Sequence, residues 1–447
     1  MRLDAWRDKK VLILGFGREG QDSLLFLRRI FPEKIIGIAD QKEKRALIAE
    51  IRRLTKKEGQ IKLRAGKNYL KSLKDYDVII KAPGVAPKTI KPFIRPGQEI
   101  TSQTQIFFEN CPGRIVGITG TKGKSTTTSL IYRVLKEGGL KAHLVGNIGQ
   151  PVLSALFRAR PADVFVYELS SHQLMNLKRS PQVAVFLNIY PEHLDYYQSF
   201  AEYLRAKQNI CRYQGATDFF LFNPQDRNVS KTQKITRARK VALDPERAER
   251  FLKKWGRTKL VGRFNFLNLA AAIEVGRIFK IPEKKIAQAI KDFSPLPHRL
   301  ELVGEYRGIK FYNDSLATIP EATIAALDAL GPRVETIFLG GFDRGLDFRK
   351  LAARIMKSQI QTLILWPTTG QKIWRAIVRT NSGKARFFNH FFVVNMEEAV
   401  KLAFRHTRRG KICLLSCASP SFGLFHDYQE RGELFKKCVR QQGNKQV

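Results

Sequence analysis

The chain has 447 residues with 79 Lys or Arg against 40 Asp or Glu, a formal charge of +39. Its 43% hydrophobic and 10% aromatic content supports packed cores and excludes a disordered chain, and the length calls for several cores, three being the natural first choice. No apolar run reaches the roughly 18 residues of a membrane helix, and MRLDAWRDKKVLILGFG runs into a strand without a signal-peptide pattern, so a cytoplasmic protein with no membrane partner is expected.

Over residues 1–110, short β-branched runs alternate with helical stretches: KVLILG, a helix through SLLFLRRIF, KIIGIAD, then YDVIIKAPGV. That rhythm predicts a parallel, Rossmann-like sheet. Gly15, Gly17 and Gly20 of GFGREG follow the first strand and open its helix, and the next strand ends at Asp40. Such glycines let the backbone approach a diphosphate while the acid bonds a sugar or base edge, although a lone fingerprint of this kind is weak.

A second unit, 111–297, opens with RIVGITG and a helix through TTTSLIYRVLKEGG, for which Gly138 is a stop signal. Between them lies Gly120-Thr121-Lys122-Gly123-Lys124-Ser125. Strand, glycines, helix start and the Lys-Ser pair predict a phosphate loop, with Lys124 on the terminal phosphates and Ser125 on a magnesium ion. The loop is shorter than the strict P-loop, which would need glycine where Ile118 stands. Strands follow at DVFVYEL, VAVFLNI and DFFLFN; a third unit, 298–447, alternates again through IKFYND, ETIFLGG, QTLILW, FFVVN and KICLLS. The expected architecture is α/β with three domains: a Rossmann-like domain, a central P-loop domain and a C-terminal Rossmann-like domain.

GITGTKGKSTTT resembles the ATP loop of the Mur ligase and folylpolyglutamate synthase superfamily, and more of its motifs follow in order. The resemblance implies that Gly120, Thr121, Lys122, Gly123, Lys124, Ser125 and Thr126 bind ATP. Glu168 closes the strand DVFVYE ahead of Leu169-Ser170-Ser171-His172-Gln173 and matches the family's magnesium ligand; on its own it would as readily be a surface acid or a helix cap. In NIYPEHLDYYQSFAEYLRAKQNI, His193 and Lys207 stand where the family has a metal-site histidine and a lysine that CO₂ converts to a carbamate. Alone, Lys207 would read as an ordinary helix lysine and His193 as a loop histidine. GRFNFLNLAAA resembles the family's G-x-H-N-x-x-N-x-x-A-A helix, which implies that Asn265 and Asn268 meet the nucleotide, with Arg263 replacing the usual histidine. LPHRLE resembles the interdomain hinge, whose Arg299 is expected to reach ATP, and Asp314 in NDSLAT to orient the nucleotide; Leu316 stands where glutamate-adding members carry lysine.

In the glutamate-adding branch of this family the domain matching GFGREG and Asp40 grips UDP in place of NAD. KAPGV resembles S-P-G-(I/V), and GNIG recurs intact. The implied substrate contacts are Gly15, Gly17, Arg18, Gly20, Asp40, Gly84, Asn147, Ser170, Gln173 and Thr318. LLSCASPSFGLFHDYQERGELF resembles a glutamate pocket segment and points to Ser421, Phe422 and Tyr428, while GGFDRGLDF supplies Arg344, whose guanidinium can pair bidentately with a carboxylate. Arginines in such turns otherwise face water. The implied reaction joins D-glutamate to UDP-N-acetylmuramoyl-L-alanine at the expense of ATP, through an acyl phosphate, for peptidoglycan synthesis, with an L-glutamate-adding variant as the alternative. Lys124, His193 and Lys207 are its expected catalytic residues, two Mg²⁺ ions its expected metals, Ser125, Glu168, His193 and Lys207 their ligands, and a monomer its expected state.

Leu316 leaves the glutamate enantiomer open, and another Mur-type ligase is the next alternative. A NAD-dependent dehydrogenase would explain GFGREG but not GTKGKST. A nucleic-acid-binding protein would explain the charge but none of the ordered motifs, and the basic residues are spread along the whole chain, which predicts a solvated surface with no specific nucleic-acid site. The five cysteines lack zinc-site spacings and read as reduced, mostly buried thiols.

Overall fold

A computed structural model describes residues 3–55, 60–193 and 196–444. Five parallel strands form the first sheet: β1 (Val11–Leu14), β2 (Ile36–Asp40), β3 (Ile61–Ala65), β4 (Val78–Lys81) and β5 (Glu99–Thr101), in the order β3-β2-β1-β4-β5. Its central strands read as unbroken apolar runs because both faces are covered. Val11 and Ile13 enter one core with Leu24, Phe26 and Leu27 of helix α1 (Arg18–Ile30), whereas Leu12 and Leu14 enter another with Leu73, Tyr76 and Ile90.

The second sheet has six parallel strands: β6 (Arg114–Thr119), β7 (Ala142–Gly146), β8 (Val164–Glu168), β9 (Val183–Phe186), β10 (Phe219–Phe222) and β11 (Arg239–Ala242), in the order β11-β10-β9-β6-β8-β7. Helix α2 (Lys124–Glu137) follows β6, α3 (Phe200–Arg212) precedes β10, and α4 (Asn265–Ile278) comes after the last strand. Phe107, Phe165 and Tyr167 stack edge to face where the two sheets share one core.

The third sheet is mixed: β12 (Glu301–Tyr306), β13 (Ile309–Asn313), β14 (Val334–Gly340), β15 (Thr362–Trp366), β16 (Asn389–Phe392) and β17 (Ile412–Leu415), in the order β12-β13-β17-β14-β15-β16. Five of these strands run parallel; β12 pairs antiparallel with β13. Arg307 (φ 52°) and Gly308 (φ 75°) make the two-residue turn between them, both left-handed as a tight hairpin turn requires. Helix α5 (Tyr428–Gly443) closes the chain and buries Phe435 and Val439 against this sheet.

By contacts the chain divides into two compact units, Met1–Arg257 with Phe266–Lys291, and Thr258–Asn265 with Asp292–Val447. The first unit carries two sheets, the second one. Among the described residues no helix is long and apolar enough to cross a membrane. All five cysteines are free thiols, and Cys211, Cys413, Cys417 and Cys438 are buried.

Candidate active site

Within each unit many of the candidate residues, among them Gly15, Asp40, Gly120, Asn147, Glu168 and Asp314, stand at or just past the carboxyl ends of parallel strands, where open α/β sheets bind ligands. Lys207, Asn265, Asn268 and Tyr428 are on helices. In the first unit β6 ends in the loop from Gly120 to Gly123, and Gly123 turns left-handed (φ 85°) to start α2. A Cβ on Gly123 would lie 2.6 Å from Asn268 Oδ1, so the α4 asparagine packs directly on the loop. Asn268 Oδ1 also accepts from Thr127 Oγ1 at 2.9 Å. Lys124 folds over the loop, Nζ donating to the carbonyls of Gly120 and Thr121 at 3.0 Å each. Ser125 and Thr126 are buried in the first turn of α2.

Two side chains from elsewhere hold this loop. Asn188, just past β9, accepts from Thr121 N (3.1 Å) and Lys122 N (2.8 Å) and donates to Lys122 O (3.0 Å). Lys207 of α3 is 1% exposed and donates to Gly120 O at 2.9 Å and Thr119 Oγ1 at 3.3 Å. Burial, then the charge of Lys124, holds the Lys207 ammonium well below its ordinary pKa, while Glu192 and Glu168 oppose this. A neutral amine is the form that can react with CO₂.

Glu168 ends β8 and is buried, with Oε2 lacking any hydrogen-bond partner. An orphaned carboxylate oxygen beside a phosphate loop suits a hard cation, so the residues present fit magnesium. His193 sits in a left-handed turn (φ 59°), its ring 4.8 Å from that of His172. The next two residues of its motif, 194 and 195, lie outside the described residues. Among the described residues no cluster of three His, Cys, Asp or Glu forms a ready-made metal site.

The glycine-rich turn after β1 faces a cavity of about 280 Å³ lined by Gly17, Arg18, Glu19, Gly20, Ala82, Pro83 and Asn147. Gly20 is obligatory, since its Cβ would meet Gly15 O at 2.2 Å, whereas nothing lies within 4 Å of a Cβ on Gly17. Gly15 is left-handed (φ 91°), and Gly84 belongs to the turn after β4. Asp40 fixes the turn, accepting from Phe16 N (2.6 Å) and Lys42 N (2.8 Å). Arg18 donates to Gly146 O, beside Asn147. Ser170 and Gln173 form a capping box at the short helix Ser171–Leu174, and Gln173 Nε2 donates to Glu19 Oε1 at 2.8 Å.

In the second unit Asp314 follows β13 and accepts from Ser416 Oγ (2.9 Å) and Leu300 N (3.2 Å). Burial pushes its pKa up to about 7 although both bonds and the charges of Arg299 and Arg431 pull it down. Asn265, the first residue of α4, donates to Val261 O at 2.7 Å. Arg344 lies 5.6 Å over the ring of Phe422, and Phe422 stacks edge-on against Phe342. Arg431 of α5, absent from the sequence-derived set, is wholly buried and joins these loops: Nε and Nη2 donate to Ser315 Oγ and O, and Nη1 to Ser419 O. Ser315 Oγ in turn donates to Tyr428 O at 2.8 Å. Thr318, Ser421, Phe422 and Tyr428 thus sit on segments knit to one guanidinium or adjoining it.

Arg431, Asn188 and Glu19 escaped the sequence reading because their partners lie on other elements, and Lys81 because its burial is set by the fold while its bonds go to the carbonyls of Ala82 and Val85 in its own turn. All four stand inside motifs already singled out, GFGREG, KAPGV, NIYPEHLDYYQSFAEYLRAKQNI and the segment ending QERGELF, but at positions to which no role was attached.

A parallel sheet ending in a lysine-bearing glycine loop, backed by a buried carboxylate and a buried lysine, defines a nucleotide-using α/β enzyme. Residues 118–276 match the model of the Mur ligase middle domain, and residues 298–419 that of the Mur ligase, glutamate ligase domain. The UDP-N-acetylmuramoylalanine–D-glutamate ligase of Acetivibrio thermocellus is 33% identical, over 97% of this chain and 96% of that protein. The enzyme of the same name from Clostridium kluyveri is 33% identical over 96% of each. Among solved structures, MurF of Acinetobacter baumannii has TM-score 0.61 at 13% identity, with 91% of each chain covered. The ADP complex of MurF from Thermotoga maritima has TM-score 0.57 at 16% identity, covering 98% of this chain and 96% of that one. These two structures speak to the fold. The chain belongs to the Mur ligase family and is an ATP-dependent ligase.

Proposed function

We propose that the protein joins D-glutamate to UDP-N-acetylmuramoyl-L-alanine in the cytoplasm, for peptidoglycan synthesis. The observation that carries this reading is the near full-length similarity to ligases of that name, together with a glycine turn and cavity in the first unit suited to a nucleotide diphosphate. The substrate carboxylate attacks the γ-phosphate of ATP, giving an acyl phosphate and ADP; the glutamate amine then attacks the acyl carbon and phosphate leaves.

This chain's own residues supply position and charge. Backbone amides of residues 120–125 and the start of α2 hold the phosphates, and Lys124, already over the loop, stabilises the charge on the transferring group. Asn268 packs on Gly123 from outside and accepts from Thr127 of α2. Glu168, Ser125, His193 and a carbamylated Lys207 are the residues that would hold magnesium. Magnesium, when bound, neutralises phosphate charge. Arg299 and Asp314 are assigned to the nucleotide. Arg344, Thr318, Ser421, Phe422 and Tyr428 are assigned to glutamate; Leu316 replaces a lysine of this subsite, so the pocket leans on Arg344 for carboxylate pairing.

The test is phosphate release from ATP with UDP-N-acetylmuramoyl-L-alanine, offering D- and L-glutamate separately and weighing the product. A product one glutamate heavier with the D form alone is expected. Turnover only with L-glutamate corrects the enantiomer, and no product with either rejects the substrate pair.

A further inference from the structure

The first two turns of α1 carry three charged residues, Arg18, Glu19 and Asp22, that bond groups of the following segments. Arg18 donates to Gly146 O. Asp22 accepts from Gln103 Nε2 (2.7 Å), Leu153 N (3.0 Å), Ser154 N (3.2 Å) and the Ser154 hydroxyl. Glu19 differs. Its Oε1 takes the bond from Gln173, but its Oε2 is buried without a hydrogen-bond partner, on a residue that lines the 280 Å³ cavity.

The neighbouring cations do not complete it. Neither bonds Oε2: Arg18 Nη2 donates to Gly146 O, and Lys81 Nζ donates to Ala82 O (3.1 Å) and Val85 O (2.7 Å). Gln173 cannot turn its amide, because its Oε1 accepts from Ser170 N (2.9 Å) and Ser170 Oγ (3.1 Å). Buried polar atoms are nearly always bonded, and one left over at a cavity wall marks where a ligand group arrives. A carboxylate oxygen repels phosphate oxygens, so the arriving group is a neutral donor.

We propose that Glu19 is a specificity-determining residue of this cavity, its Oε2 accepting a hydrogen bond from a hydroxyl or amide N–H of the sugar of the bound sugar nucleotide. This rests on the substrate reading above. Glu19 thereby marks the end of the diphosphate site, the backbone amides of the turn serving the anion and the carboxylate the sugar. The competing arrangement is a protonated Glu19 donating to a phosphate oxygen.

Calorimetric titration of the full chain with UDP-N-acetylmuramoyl-L-alanine and with UDP decides between them. Glu19→Gln keeps an acceptor for Gln173 and turns an NH₂ toward the ligand. It is expected to lose about tenfold to a hundredfold in affinity for the sugar nucleotide, the worth of a bond to a charged acceptor, with UDP affinity and the KM for ATP unchanged. Glu19→Asp, which keeps the charge but withdraws it by one methylene, is the second variant and should show the same selective loss. Unchanged sugar-nucleotide binding in Glu19→Gln, as a phosphate-donating carboxyl would give, overturns the proposal. So does an equal loss for UDP, as a purely structural role would give. Wild-type protein that binds UDP but not the sugar nucleotide rejects the substrate reading instead.

Discussion

The first unit contains two glycine-rich turns with the same construction, one after β1 and one after β6, each the first strand of its sheet and each opening a helix. They differ in how their side chains are used. At the Gly120–Gly123 loop the surrounding groups point inward: Lys124, Lys207 and Asn188 all bond the loop itself. At the Gly15–Gly20 turn they point outward, Arg18 reaching the end of β7, Glu19 the short helix Ser171–Leu174 and Asp22 the short helix Val152–Leu156. On the proposed reading both turns offer backbone amides to phosphate, but the side chains brace one loop from within and tie the other turn to neighbouring segments beside an open cavity.

This contrast can be tested at several strengths. The largest effect belongs to Lys124→Met, expected to lower kcat for phosphate release about a thousandfold or more; a loss below tenfold would remove Lys124 from the chemistry. Next is Asp22→Ala, which strands the Leu153 and Ser154 amides and should cost about 2–4 kcal/mol in a denaturant titration. Gly123→Ala forces a Cβ into a left-handed residue and against Asn268, at about 1–2 kcal/mol together with a higher KM for ATP. Gly17→Ala, whose Cβ meets only cavity, should leave stability within about 0.5 kcal/mol and weaken sugar-nucleotide binding alone. If the two glycine variants behave alike, the contrast fails.

The buried lysines give a pH test. Burial, against the pull of Glu19, lowers the pKa of Lys81 from 10.5 to about 8. Above the folded value and below the unfolded one, the unfolded chain binds the extra proton, so this group makes stability rise with pH between about 8 and 10.5, by up to about 1.4 kcal/mol per pH unit. Lys81→Met should flatten that slope in thermal or urea unfolding followed across the range. The smallest effect is at Lys122→Ala: its pair with Glu192 (2.8 Å) is half exposed and worth less than about 1 kcal/mol.

Much of this was legible in the chain where signal and structure are adjacent in sequence. The strands VLIL, VFVYE and TLILW declare themselves by unbroken apolar runs, and Gly120 to Ser125 by spacing. Strand β12 was missed because its ELVGEY alternates weakly and none of its six residues is buried; the Arg307–Gly308 turn was the available clue. Strand β7 was missed because AHLVG is short and ends on glycine. Asn188 and Arg431 could not be read out, since what they do depends on loops some 66 and 116 residues away. Nor could the sequence say that Asp40, a natural sugar ligand by position, already accepts two backbone amides.

The carboxamide of Asn188 has a kinetic meaning as well. With Thr121 N, Lys122 N and Lys122 O all satisfied by one side chain, the loop's conformational entropy is lost at folding and not at ligand capture. Where this loop holds the nucleotide, as proposed, association is expected to be paced by encounter without a loop-ordering step, and differences among triphosphates to show up in how long they stay.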